Sequence, residues 1–239
     1  FFKRNETGRY RLTSNQREYF ANSIELLGKL CLGRNTKNQQ TVSQLIAFDT
    51  ILACIEDESL PSRLRSNFCQ LLFHCYIDTS LYEKKPVIVL TQVLTPPTVQ
   101  NDQEKRKEAK KFGQQEARMD ELKKFMNRFY EKHQSLDKTD IETNRFIFIL
   151  TYICRTLFEF GIYSDMDQVD EIARKLFLVL DGKTDSGLHK ELTDAERYGQ
   201  DEQNMVVSSI KLEICKILDI FMDKVQNIRI STLTKKFYD

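Results

Sequence analysis

The sequence predicts an all-α protein, an irregular armadillo-like α-solenoid of about seven or eight helices. Three observations predict it. Glycine and proline are scarce, 8 and 4 in 239 residues, which disfavours turn-rich β architecture. Apolar residues recur at steps of three and four in one segment after another. The breaks between those segments carry capping residue types. No strict repeat period emerges, so each helix pair is expected to bury its apolar face against the next in one domain over residues 1–239.

Taken in order, the first dozen residues are polar and are expected to fray or to be fed in from a preceding element. Asn15 with Glu18 reads as a capping box. Phe20, Ile24, Leu27 and Cys31 then define one helix face, with Gly33 as its stop. Thr41 to Glu56 reads as two short helices broken near Phe48–Asp49. Leu60 to Asp78 reads as a helix with Ser59 as cap and Pro61 in the first turn, where a missing N–H costs nothing. Leu64, Phe68, Leu71, Leu72 and Cys75 form its apolar stripe, and Arg63, Asn67, Gln70 and His74 its polar one.

Pro86, Pro96 and Pro97 make residues 84–100 an extended connection. The charge run EKRKEAKK at 104–111 reads as a solvated loop or a frayed helix start, in preference to a basic docking site. Met119, Leu122, Met126 and Phe129 carry a helix to about Lys132. Thr139 with Glu142 is a second capping-box candidate, opening a helix that is apolar almost all round and stops at Gly161. Val169, Ile172, Leu176 and Val179 mark the next helix, stopped by Gly182. A long charged loop follows, over residues 182–203. Val207, Ile210, Ile214, Ile217 and Phe221 mark another helix, and a last short one is expected from Arg229.

Composition narrows the function. A net charge of +1 provides no field to draw nucleic acid or an anionic membrane. The longest apolar run, residues 146–160, is broken by Arg155 and Glu159 and falls short of the ~20 residues that span a bilayer, so direct membrane insertion is not expected. The chain begins Phe1-Phe2-Lys3 and reads as a piece of a longer polypeptide. Six cysteines, none in a CxxC pair, read as buried free thiols of a reducing compartment.

Constellations that would carry chemistry are weak. Gly182-Lys183-Thr184 has the end of a phosphate-binding loop, but Phe177 stands where the loop needs its first glycine, and a helix precedes it. The carboxylates at 165, 167, 170 and 171 lack a calcium loop's central glycine and read as the acidic start of a helix. His74, Cys75 and Cys69 diverge around a helix and do not make a metal site. No cofactor, metal or enzymatic activity is therefore expected. Arg63, Arg65 and the polar face around His74 and Asp78 remain, as candidates for binding a phosphate ligand or contacting another domain. Local pairing with Glu56, Asp57 or Glu58 is the plainer reading.

A family resemblance covers most of the chain. LP..LR..FC.LL.H...D at 60–78 resembles a motif of the RIH domains of the inositol trisphosphate and ryanodine receptors, closest to the former. Tyr19 to Arg34, Glu159 to Tyr163 (EFGIY) and Ile228 to Phe237 (IRISTLTKKF) resemble flanking segments of the same region, in the same order. The resemblance implies a cytosolic regulatory domain of a homotetrameric calcium-release channel of the endoplasmic reticulum. Such a domain would pass ligand-driven motion towards the pore and contact other domains and subunits of the channel. It implies no inositol trisphosphate contacts here, because phosphate binding in that family also needs an adjoining β-trefoil domain. The residues around 84–111 match nothing in the family. A soluble armadillo-like scaffold that binds other proteins is the alternative. Its expected mark is a concave groove of regularly spaced Asn or aromatic residues.

Overall fold

The computed structural model describes residues 13–79, 102–163, 165–182, 185 and 201–238. Among them lie eight α-helices and no strand, so the fold is all-α. They are α1 Ser14–Leu30, α2 Thr36–Leu45, α3 Phe48–Glu56, α4 Ser62–Leu72, α5 Asp102–Lys132, α6 Ile141–Glu159, α7 Met166–Asp181 and α8 Glu202–Tyr238. A π-helical turn, Phe73–Ile77, extends α4. The connection expected at 84–100 and most of the loop expected over 182–203 fall outside the described residues.

Two compact units are present. The first comprises Phe1–Tyr82, Asp137–Ile153 and Ser186–Ile210; the second, Glu83–Leu136, Cys154–Asp185 and Lys211–Asp239. In the first, α1 and α3 pack on α4. At Gly28 α1 lies against α4: a Cβ there would stand 3.5 Å from the Leu71 backbone, in ordinary van der Waals contact. Ile24, Phe48, Ile51, Ile55, Phe68, Leu71 and Leu72 are buried, together with Phe146 and Leu150 of α6. In the second, α5 packs on α7. Met119, Leu122, Met126 and Phe129 meet a core that includes Val169, Ile172, Leu176 and Val179, every one of them buried. Ile214 and Ile217 of α8 are fully covered.

Several helix boundaries differ from expectation, each for a local reason. Thr13 caps α1 in place of Asn15: it accepts the Gln16 N–H at 3.4 Å and donates its own to Gln16 Oε1 at 2.9 Å. The sequence holds two overlapping capping boxes, and the earlier one lengthens the helix by two residues with its donors satisfied. Pro61, not Ser59, caps α4. A proline disfavours helical backbone at the residue before it, so the helix cannot start earlier. The Ser59 N–H goes to Asp57 Oδ1 at 2.9 Å instead. Asp140 caps α6 by accepting the Thr143 N–H at 3.0 Å, while the Thr139 hydroxyl is spent on Asp137 at 2.7 Å. The charge run at 104–111 is part of α5, as its Glu, Lys, Arg and Ala content favours. No separate helix starts at Arg229. With neither glycine nor proline from Glu202 onward, α8 runs unbroken to Tyr238.

Two of the expected stops are seen. Gly161 and Gly182 have φ of +72° and +64°, left-handed values that end α6 and α7. In the second unit Glu213, buried on α8, accepts Arg155 Nε at 2.6 Å and Lys216 Nζ at 2.6 Å. Burial raises its carboxyl pKa, but the hydrogen bonds from Lys216 and Arg155 outweigh that and leave it lowered. A depressed carboxylate stabilises fully above the unfolded glutamate value, about 4.3, and loses that contribution as pH falls through the folded value. Thermal unfolding from pH 7 to pH 3 should therefore drop more steeply in the native protein than in Glu213→Gln. Parallel curves would mean that the pair is energetically neutral.

Candidate interaction site

The four candidate residues sit in the first unit, on α4 and the turn that extends it. They do not form one surface. Arg63 is exposed and donates from Nη2 to Asn22 Oδ1 of α1 at 3.1 Å. Arg65 is only 7% exposed. Its Nε donates to the Ile55 carbonyl at 2.8 Å, and its guanidinium lies 4.3 Å over the Phe146 ring centroid. It is not a solvated side chain, but its charge interacts with those of Glu58 and Asp57, as local pairing with that acidic cluster expects. The polar stripe of α4 is likewise turned inward in part. Asn67 is buried and donates to the Ala21 carbonyl at 2.8 Å.

Around His74 the backbone widens into the π-turn, where the Asp78 N–H bonds the Phe73 carbonyl at 2.8 Å. Gln39 of α2 secures the turn, donating from Nε2 to the carbonyls of His74 at 2.7 Å and Asp78 at 3.0 Å. The Asp78 carboxylate takes Arg34 Nε at 2.8 Å. His74 is half-buried, edge-on to Phe73 at 5.0 Å between centroids, and its Nδ1 has no hydrogen-bond partner. Burial lowers the His74 pKa, with the charge of Asp78 acting the other way. The ring borders an apolar cleft of about 380 Å³ formed with Phe73, Phe148, Ile149 and Tyr152.

The buried thiols are poor nucleophiles. Cys75 and Cys31 are hydrogen-bonded neighbours, and burial is the main cause that pushes Cys75 up to about 12. Burial does the same to Cys154, and raises Cys69 further. All six cysteines are free, and Cys215 alone is exposed. An aromatic disulfide reagent should label Cys215 promptly and Cys69 and Cys154 only on unfolding. Equal rates in the native protein would contradict the burial of α4 and α6.

The discarded motifs have structural roles. At Gly182 a Cβ would crowd Lys211 Nζ and Asp185 Oδ2, and its left-handed backbone closes α7, while Lys183 and Thr184 lie outside the described residues. Asp165 caps α7, accepting the Asp167 N–H at 3.2 Å. Asp170 pairs with Arg174, and Glu171 with Lys175 at 2.8 Å. Among the described residues, no group of three His, Cys, Asp or Glu side chains is placed to hold a metal ion.

Tyr19, Leu26 and Leu30 form a ridge along the outer face of α1, 77%, 58% and 46% exposed. With Ser23 they step by four, three and four, a second helical stripe beside the buried Ala21, Ile24 and Gly28. That spacing was available as a signal. Among the described residues no helix is long and apolar enough to cross a membrane. No protein-family model matches the chain.

Proposed function

We propose that this chain is a cytosolic coupling domain of an intracellular, ligand-gated calcium-release channel of the inositol trisphosphate and ryanodine receptor superfamily. It stands in a homotetramer on the cytosolic face of the endoplasmic reticulum and passes ligand-driven motion towards a pore outside these residues. The carrying observation is the apolar ridge of α1, on the helix that bears the first of the four ordered family motifs. A helix that closes a helical stack presents a polar outer face. The outer face of α1 carries Tyr19, Leu26 and Leu30, and the neighbour that covers them belongs to another domain of the channel. Stacked helical layers suit coupling, because packed interfaces shift between discrete arrangements and pass the shift on. The family motif on α4 supports the reading through packing: Phe68, Cys69, Leu71 and Leu72 are the core of the first unit.

The test is a parent channel carrying Leu26→Glu and Leu30→Glu. Two carboxylates on the ridge oppose an apolar neighbour without touching the core. Ligand-evoked calcium release from permeabilised cells should fall several-fold at unchanged protein abundance. Undiminished release would remove the ridge from the coupling path.

A further inference from the structure

We propose that the cleft between the end of α4 and α6 binds a small neutral aromatic carboxamide, its ring held by Phe73, Phe148 and Tyr152 and its amide by Gln70 and His74. This goes beyond the coupling role, and the cleft belongs to the first unit alone. Its volume of about 380 Å³ falls in the range of small-molecule sites. Three observations meet there. The first is the lining. Apolar side chains dominate it, and Phe73 and Tyr152 stand edge to face with centroids 5.2 Å apart, an arrangement that aromatic rings favour and that a ligand ring extends. The second is a pair of unengaged polar side chains. Gln70 and His74 are one helical turn apart, and both line the cleft. Among the described residues no side-chain hydrogen bond engages either of them, and His74 Nδ1 is buried without one. Polar groups taken out of water without a partner are costly, and a ligand that bonds them recovers that loss. The third is the backbone. The π-turn Phe73–Ile77 supplies both Phe73 and His74 to the cleft, and Gln39 secures that turn from α2. Single π-turns at the ends of or inside helices concentrate at functional sites.

Charge and hydrogen bonding select the ligand. Among the described residues that line the cleft, Lys29 alone carries a full charge, and Glu25 meets its ammonium group at 2.6 Å. No unpaired charge therefore calls for an ionic ligand. The lowered pKa of His74 favours its uncharged ring, with one donor and one acceptor nitrogen. A primary carboxamide is a compact neutral group with an acceptor oxygen and two N–H donors, and it pairs with the amide of Gln70 through two hydrogen bonds. The ring attached to it fills the apolar part of the cleft.

The experiment adds benzamide to the whole 239-residue chain and reads binding by saturation-transfer NMR. A dissociation constant of about 1 mM is expected, the strength open to so small a ligand. Gln70→Ala should weaken binding about three- to tenfold with the melting temperature kept within about 2 °C, because the Gln70 amide holds no other side chain. Ile149→Trp, which fills the cleft, should abolish binding. Benzoate, which is charged, and acetamide, which has no ring, should each bind about tenfold more weakly. An absence of saturation transfer from the native chain, equal binding in Gln70→Ala, or equal binding of benzoate would overturn the site. Tighter binding of N-acetylphenylalaninamide than of benzamide would overturn the small-molecule assignment and give the cleft to an aromatic side chain of a protein partner.

Discussion

Asp185→Ala is expected to destabilise the protein by about 2–4 kcal/mol, read in urea unfolding. Asp185 is 1% exposed and is the meeting point of three segments of the second unit. Its Oδ1 accepts the Leu136 N–H at 2.8 Å and its Oδ2 accepts Lys211 Nζ at 2.9 Å. Its own N–H goes to the Gly182 carbonyl at 3.1 Å. Alanine leaves a buried backbone donor and an ammonium group without their acceptor. Lys211 keeps 26% of its side chain in solvent, so the Coulomb part is screened and the estimate stays below that for a fully buried pair. Asp185→Asn, which retains an acceptor for Leu136, should recover part of the loss. Gly182→Ala should weaken the same place, since its left-handed backbone strains an L residue and a Cβ would press on the Lys211–Asp185 pair. A change below about 0.5 kcal/mol in both variants would mean that this latch is not formed.

The second large effect concerns Arg65. Arg65→Ala should cost about 2–4 kcal/mol in the isolated chain, because it strips the cover from Phe146 and leaves the Ile55 carbonyl without its donor. Arg65→Met restores the packing but not the hydrogen bond, and should recover roughly half of the loss. The comparison separates a structural residue from a docking one. An Arg65→Ala protein that unfolds like the native chain, yet lowers the calcium release proposed above, would return Arg65 to the interaction surface. Arg63→Ala, by contrast, removes one exposed bond to Asn22 and should change stability by less than about 0.5 kcal/mol.

What the sequence carries follows from the range of the forces involved. Amphipathic spacing is local, so Val169, Ile172, Leu176 and Val179 could be placed in the core from their spacing alone. So could the glycine stops, because a left-handed turn selects its residue. The orientation of a polar face is different. Asn67 is buried because the Ala21 carbonyl, 46 residues earlier, faces it, and no local pattern encodes that partner. The π-turn at His74 has the same origin: its widened carbonyls are met by Gln39 from α2, 35 residues away. Asp185 was hidden inside a string that read as a failed phosphate loop, although Gly182 and Asp185 act together with Lys211, 26 residues downstream of Asp185. The capping boxes were misplaced by one turn or less, because Thr13 with Gln16 and Asn15 with Glu18 satisfy the same rule. The ridge of Tyr19, Leu26 and Leu30 is legible too, as a weaker stripe on the opposite side of α1 from Ala21, Ile24 and Gly28.

Membrane extraction of the intact parent tests the channel assignment most directly. An antibody raised to these 239 residues follows the parent through alkaline carbonate and then detergent. The expected result is a very large chain that resists carbonate and is released only by detergent, as transmembrane segments elsewhere in it require. Release by carbonate, or recovery without membranes at all, would contradict the channel assignment and leave a protein-binding helical scaffold in its place.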